Sequence, residues 1–459
     1  MGREYIEMPF EPESLKEQEP SREWMKLNRH LIRYGSFDLE ASLLVTLYTR
    51  RVEKHSKKTP FLDVLRSMKW TLISHFHNNR KFTIANSNCF SIKGKNAYVV
   101  NFKPEDKRHF SHINSLIRQD PDPVILTVEP DVFNFYSNEK LPVVLLENKG
   151  RLQHSICFQE NTRKDLTLRI LGLRAAALVD SIEAFCSCFS YPARLVTLQD
   201  FHTWDAVFAV FFKGKIPTVT LQHGLVTDDP LWETVLSDFI ITWGENPAQK
   251  LQSHGIPAEK IKPLGTAKYD SYFTPNNGDK TQGRILVSIQ PDIPTDLFDR
   301  FSLLWAEIGA RLPGSKLVFR YHPGVSKEAR EQMTQKISRA FSKDKAQFSV
   351  SDIRDPLEDI ACSSVVLTNQ TSLAVEAILL QRPVVEYTLE NPLPFYGDYR
   401  DFVFNTGDPD QAAKVIMAIL SSSLERNQAV RNQNAALGKE ILPPPRAPEI
   451  LKFIRSLPE

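Results

Sequence analysis

Residues Val365 to Tyr387 read "VVLTNQTSLAVEAILLQRPVVEY". An apolar run of strand length stops at Thr368-Asn369-Gln370-Thr371-Ser372, and an apolar helix-like run resumes at Leu373 before a second strand-like run, "RPVVEY". The interruption is too short for a domain boundary. A polar turn between a buried strand and a helix is where α/β proteins bind ligands, so this stretch predicts a parallel sheet with its ligand at the strand carboxyl ends.

The same alternation extends outward. Before it come "RILVSIQ", a helical "FDRFSLLWAEIGARL", "SKLVFRYHP", a helix near Glu328 to Phe341 and "FSV", which together predict an α/β domain over residues 284–440. The segment "YFTPNNGDKTQG", rich in polar residues with Pro and Gly, reads as a linker. Upstream of it "NAYVVNF", "PVILTVEPD", "PVVLLEN", "RLVTLQD", "IPTVTLQHG" and "DFIITWG" alternate with helical runs, predicting a first α/β domain over residues 96–271. Two Rossmann-like domains of similar size facing a central cleft follow from this pattern. Residues 1–95 read as a helical N-terminal extension: "DLEASLLVTLYTRRVEKH" and "PFLDVLRSMKWTLISHF" each gather their apolar residues on one helical face. Residues 441–459 offer a final helix bounded by prolines.

With 459 residues the chain is roughly two to three times a typical domain, in keeping with two cores. A formal net charge of +2 gives no support to a nucleic-acid binder that works by neutralising phosphates. The five cysteines, Cys89, Cys157, Cys186, Cys188 and Cys362, have no metal-ligand spacing and read as free thiols of a reducing compartment. The first twenty residues carry acids and prolines where a signal peptide needs an apolar core, and no run reaches the length of a membrane span. A cytoplasmic protein is expected, with a peripheral contact at the inner membrane offered by the basic ends of the N-terminal helices (Arg50, Arg51, Lys54, Lys57, Lys58) as the alternative to a solvated face.

Candidate site residues cluster at predicted strand ends. Thr371 and Ser372, with Asn369 in the same turn, fall at the start of a helix, where unpaired backbone N–H groups, the positive dipole end and hydroxyls suit a phosphate; simple capping is the alternative. Glu376, one turn further, is placed to accept from ribose hydroxyls or to stabilise the helix start. Arg320, His322 and Pro323 end another strand, the proline favouring an extended backbone at the histidine. In the first domain Gln222, His223 and Gly224 end one strand, and Asp200 ends another, with His202 and Asp205 just beyond. A carboxylate and an imidazole on one rim suit general-base work on a hydroxyl, with either Asp200 or His223 as the base, or Asp200 as a helix cap. No nucleophile elbow, Walker loop, HExxH or Cys/His metal set is present, so no metal and no cofactor are expected.

These residues together resemble the GT-B glycosyltransferases of bacterial surface polysaccharides, from about Asn96 to Phe402, on "QHG", on His322-Pro323 and on "TNQTSLAVEAILLQRPVVEY" followed by "PFYGDYRDF". Among the enzymes of capsule and lipopolysaccharide biosynthesis, the similarity is greatest to capsular Kdo transferases and to the related bacterial sialyl-, polysialyl- and CDP-glycerol transferases. The resemblance implies an inverting, metal-independent transfer from a nucleotide sugar, CMP-Kdo or a CMP-nonulosonate foremost, to a glycan or glycolipid acceptor. Donor contacts would come from Arg320, His322, Pro323, Asn369, Thr371, Ser372 and Glu376. The base would be Asp200 or His223, and His202, Asp205, Gln222 and Gly224 would lie on the acceptor side. The sialyltransferase acidic-acidic-Gly triplet is missing, and "TNQTS" differs from the turn of the CDP-glycerol enzymes. A CDP-alditol phosphotransferase, a UDP-sugar 2-epimerase and a non-catalytic nucleotide-sugar-binding scaffold are the competing expectations.

Overall fold

The computed structural model describes residues 32–34, 37–38, 81–86, 91–148, 152–153, 156–158, 166–198, 203–224, 226, 232, 234–272, 283–289, 295–312, 314–322, 325–344, 347–353, 355–368, 373–387, 404–406 and 408–459. The chain divides into two compact units, one formed by Met1–Lys268 with Arg446–Glu459 and the other by Tyr269–Pro445.

The first unit is built on an eight-stranded sheet. Its strands are β3 (Phe82–Ala85), β4 (Asn96–Val99), β5 (Pro123–Thr127), β6 (Val143–Leu146), β8 (Arg194–Thr197), β9 (Thr218–Leu221), β10 (Phe239–Thr242) and β11 (Ile261–Pro263), in the order β11-β10-β9-β8-β4-β5-β6-β3. All pairings are parallel except β3 with β6, which is antiparallel. Two short strands, β1 (Ile32–Tyr34) and β2 (Phe37–Asp38), form a small separate sheet with β7 (Ile156–Phe158). What is described of residues 1–95 is therefore largely extended, and β3 belongs to the main sheet, so the sheet begins before residue 96. The predicted amphipathic helices lie outside the described residues.

Every residue of β5 is buried, as it must be in a strand covered on both faces. Alternation then decides which face each serves. Val124 and Leu126 join the core beneath α3 (Leu166–Phe189) and α4 (Thr203–Phe212), with Val179, Ile182, Val207 and Phe208. Ile125 points to the opposite core, shared with α1 (Lys107–Gln119), α2 (Pro130–Asn138) and α12 (Ala447–Ser456) through Ile113, Val132, Ile450 and Ile454. The C-terminal helix α12 is thus part of the first unit's second layer. Arg194 fixes its end by donating to the Leu457 carbonyl from Nε at 3.0 Å and from a terminal nitrogen at 2.5 Å, and Arg455 reaches Asp120 at 3.0 Å.

The second unit carries a six-stranded sheet in which every pairing is parallel. The strands β12 (Arg284–Ile289), β13 (Lys316–Tyr321), β14 (Phe348–Val350), β15 (Val365–Thr368), β16 (Val384–Tyr387) and β17 (Phe404–Thr406) run in the order β14-β13-β12-β15-β16-β17. This is the doubly wound order 3-2-1-4-5-6, and the six strands β4 to β10, leaving out β7, repeat it in the first unit. Aromatic rings of α6 (Thr295–Ala310), Phe301 and Trp305, pack on Phe319 and Tyr387 in the core.

Candidate functional site

In a doubly wound sheet, ligands bind beyond the carboxyl ends of the strands, where connections on either side lead to opposite faces. In the first unit that point falls between β4 and β8, and in the second between β12 and β15.

At the first unit's switch point Asn101, just past β4, is buried and organises three loops. Its amide donates to Asp205 Oδ1 at 2.6 Å, and its carbonyl oxygen accepts the Val128 N–H at 3.1 Å. Asp205 in the first turn of α4 is completely buried, which makes it a positioning group within the fold. Close by, the Arg174 guanidinium of α3 lies over the Trp204 ring, 4.7 Å from its centroid. Burial lowers Arg174 below the usual arginine value, against the opposing charge of Glu129.

The next strand end carries Gln222-His223-Gly224. Gln222 is buried and its amide is used internally: Nε2 donates to the Gly224 carbonyl at 2.7 Å, and Oε1 accepts the Trp243 backbone N–H at 2.8 Å. The Trp243 indole N–H donates to the Gln222 carbonyl at 2.8 Å. Gln222 thereby staples the end of β9 to that of β10, presenting His223 beside the staple. The Trp243 ring stacks on His112 of α1, with centroids 5.6 Å apart and planes 8° apart, and His112 Nδ1 meets Thr266 Oγ1 at 2.9 Å. Gly265, with φ of 92°, makes the turn that brings Thr266 back after β11, and its N–H donates to the Thr242 carbonyl. His223 itself stacks on Trp232, centroids 5.4 Å and planes 11° apart, and stands 5.9 Å from His109 of α1. His109 in turn stacks on Phe102 at 4.8 Å, and its Nδ1 lies 2.9 Å from Asp106 Oδ2.

In the second unit His322 follows β13, its backbone N–H donating to the Ile289 carbonyl at 2.9 Å and so tying the ends of β12 and β13 together. Its own carbonyl accepts the Val325 N–H at 3.0 Å. Arg320, one residue inside the strand, turns onto buried Asp359 of α8 (Pro356–Ala361) at 2.8 Å and onto the Ile353 carbonyl at 2.8 Å. Asp359 also holds Arg284 and accepts from Ser351 Oγ at 2.6 Å. Arg320 is a strut of the sheet. Thr368 ends β15 buried, with no hydrogen-bond partner on its hydroxyl, and the chain there enters residues 369–372. Glu376, half-buried, lies in the first turn of α9 (Leu373–Leu379).

Of the residues expected from sequence, His223, Gln222, Gly224 and Asp205 come together at one edge of the first unit, and His322 and Glu376 stand in loops and turns that follow β13 and β15. Asp200, His202, Pro323, Asn369, Thr371 and Ser372 lie outside the described residues. Sequence reasoning missed His109, His112, Trp232 and Trp243. Among the described residues no group of three or more His, Cys, Asp or Glu side chains is arranged to hold a metal, and no helix is long and apolar enough to cross a membrane. Cys186, Cys188 and Cys362 are free thiols, and burial pushes Cys186 up to about 12.

No family model matches the chain, and no curated protein matches it by sequence. Solved structures do match in fold. UDP-GlcNAc 2-epimerase from Neisseria meningitidis, solved with UDP-GlcNAc bound, superposes with a TM-score of 0.52 at 12% identity, covering 78% of this chain and 98% of its own. A Listeria monocytogenes protein assigned as a UDP-N-acetylglucosamine 2-epimerase gives a TM-score of 0.53 at 14% identity, covering 79% of this chain and 96% of its own. At such identity the likeness is one of fold: the chain has the GT-B type of architecture, two Rossmann-like domains.

Proposed function

We propose that this chain is a GT-B-type enzyme that uses a nucleotide sugar, its second unit binding the nucleotide and its first unit handling the proton of an acceptor hydroxyl. The observation that carries the reading is the switch point of the second unit. There a buried threonine with an unmatched hydroxyl leads the chain into "NQTS" and then a helix whose first turn bears Glu376. Backbone N–H groups and hydroxyls in such a turn stabilise negative charge on a leaving phosphate without a metal. His322 stands at a neighbouring strand end for the phosphate or ribose, Glu376 for the ribose hydroxyls, and Asn369, Thr371 and Ser372 for the phosphate. Arg320 acts through the strand it braces. Gln222, Gly224 and Asp205 shape the edge that presents His223, with Asp200 and His202 the further candidates of the same unit.

The favoured reaction is inverting transfer of a sugar from CMP-Kdo or a CMP-nonulosonate to a glycan or glycolipid of a bacterial surface polysaccharide, in the cytoplasm or at the inner membrane face. Its support is the order of the "QHG", "HP" and "TNQTS" motifs. The second reading, a UDP-sugar 2-epimerase, is favoured by the two superposable structures. Calorimetric titration with CMP, CDP, UDP and GDP, comparing wild type with Ser372→Ala, separates them. Selective cytidine-nucleotide binding that weakens in the variant supports transfer. UDP selectivity, with conversion of UDP-GlcNAc to its C2 epimer and no acceptor added, supports epimerisation, and no binding of any nucleotide overturns both.

A further inference from the structure

Four rings line the first unit's edge in sequence: Phe102, His109, His223 and Trp232. Asp106 occupies the N-cap position of α1, where an aspartate ordinarily accepts a helix N–H, yet its side chain makes no capping bond. The carboxylate goes to His109 Nδ1 instead, at 2.9 Å. A carboxylate accepting from Nδ1–H fixes the tautomer of a neutral imidazole, so the lone pair sits on Nε2. With Nδ1 committed, Nε2 is the nitrogen a ligand can meet, on a side chain 22% exposed. An oriented imidazole beside a carboxylate is the base-and-orienter pairing of many hydroxyl-activating sites.

We propose that His109, oriented by Asp106, is the group that accepts the acceptor's proton, its ring held by Phe102 stacked on it and by His223, itself stacked on Trp232, tilted beside it. This rests on the transferase reading and narrows its base to a residue that reading did not include. As the acceptor oxygen bonds to the anomeric carbon, its O–H bond breaks and the proton passes to His109 Nε2. The anomeric carbon–oxygen bond to phosphate breaks with its electron pair leaving on the nucleotide. The imidazolium then returns the proton to water. Asp106 is a positioning residue in this scheme.

Nitrogen-15 NMR of the full chain labelled at histidine tests the orientation directly, without substrate. Wild type is expected to show His109 as the Nδ1–H tautomer at mildly basic pH, and Asp106→Asn to lose that preference. Kinetics test the role, using nucleotide release from CMP-Kdo, CMP-N-acetylneuraminate and UDP-GlcNAc, each with deacylated lipo-oligosaccharide as acceptor. His109→Gln is expected to lose about 10²- to 10⁴-fold in turnover with nucleotide affinity changed less than about twofold, and added imidazole to restore part of the activity of His109→Ala. An Nε2–H tautomer in wild type, or His109→Gln turning over at the wild-type rate while wild type is active, overturns this proposal alone. Wild type that binds no nucleotide and releases none overturns the transferase reading, and the proposal with it.

Discussion

At the carboxyl ends of the first unit's strands stand rings, Phe102 on His109, His223 on Trp232 and His112 on Trp243, stacked in three pairs and tied down by hydrogen bonds through Asp106, Gln222 and Thr266. The second unit has the same strand order, but its polar investment lies against the sheet, where Arg284 and Arg320 meet in the carboxylate of Asp359. Rings lose little when one contact is removed, because stacking and burial persist. A buried carboxylate between two guanidiniums has no such reserve. The two units therefore differ in how much one polar side chain carries, and that difference can be measured.

The largest effect is expected from Asp359→Asn. It keeps the shape but strips the charge from a side chain with no solvent exposure, leaving Arg284 and Arg320 facing a neutral amide. A loss of about 3–5 kcal/mol is expected, read as early unfolding of the second unit in urea. A loss below about 1 kcal/mol would break the contrast at its strong end. In the first unit Gln222→Leu removes the acceptor of the Trp243 N–H and the donor to the Gly224 carbonyl. About 2–3 kcal/mol is expected, with tryptophan fluorescence following the displaced Trp243.

Why some of this was legible in sequence and some not follows from where partners come from. Strands covered on both faces are largely apolar runs, so "PVILT" and "VVLT" announce themselves, as do β9 and β13, whose carboxyl ends mark Gln222 and His322. Residues 81–86 escaped because β3 is half-buried at a sheet edge and pairs antiparallel with β6, about sixty residues on. The histidines of α1 escaped for a different reason. "HFSHINSLIRQ" reads as an ordinary amphipathic helix, and what singles out His109 and His112 is contact with His223 and Thr266, which lie more than a hundred residues away. Arg320 was placed by its nearness to a strand end, while its partner Asp359 sits on a later helix that no local pattern ties to it.

At the opposite end of the first unit's sheet a carboxylate gathers several donors, and there pH gives the third measurement. Burial pushes the Asp120 carboxyl up, but hydrogen bonds from Tyr98 at 2.5 Å, Asn96 at 2.7 Å, the Asp122 N–H and Arg455 outweigh it and hold the group below its usual value. A folded value below the unfolded one adds stability above about pH 4, and that stability is lost as pH falls through the folded value. Asp120→Asn is expected to cost about 2 kcal/mol at neutral pH and progressively less in acid, as a series of urea midpoints from pH 7 to pH 3 would read. A cost that grew in acid would reverse the sign and remove Asp120 as the anchor of α12.

The smallest effect sharpens the comparison most. Thr266→Val deletes a hydroxyl that meets His112 Nδ1 at 2.9 Å and the Lys268 N–H at 3.2 Å, while keeping the side chain's volume. His112 remains buried and stacked on Trp243 at 5.6 Å, and Trp243 remains stapled to Gln222 by two bonds the substitution does not touch. Only these two hydrogen bonds are then at stake, about 1–2 kcal/mol together, and the ring current of Trp243 on the His112 protons should stay as in wild type. If the cost instead approached that of Asp359→Asn, the first unit's edge would depend on its polar contacts as heavily as the second unit's sheet does. Stacked rings would then not explain how the unit holds two histidines side by side at its strand ends.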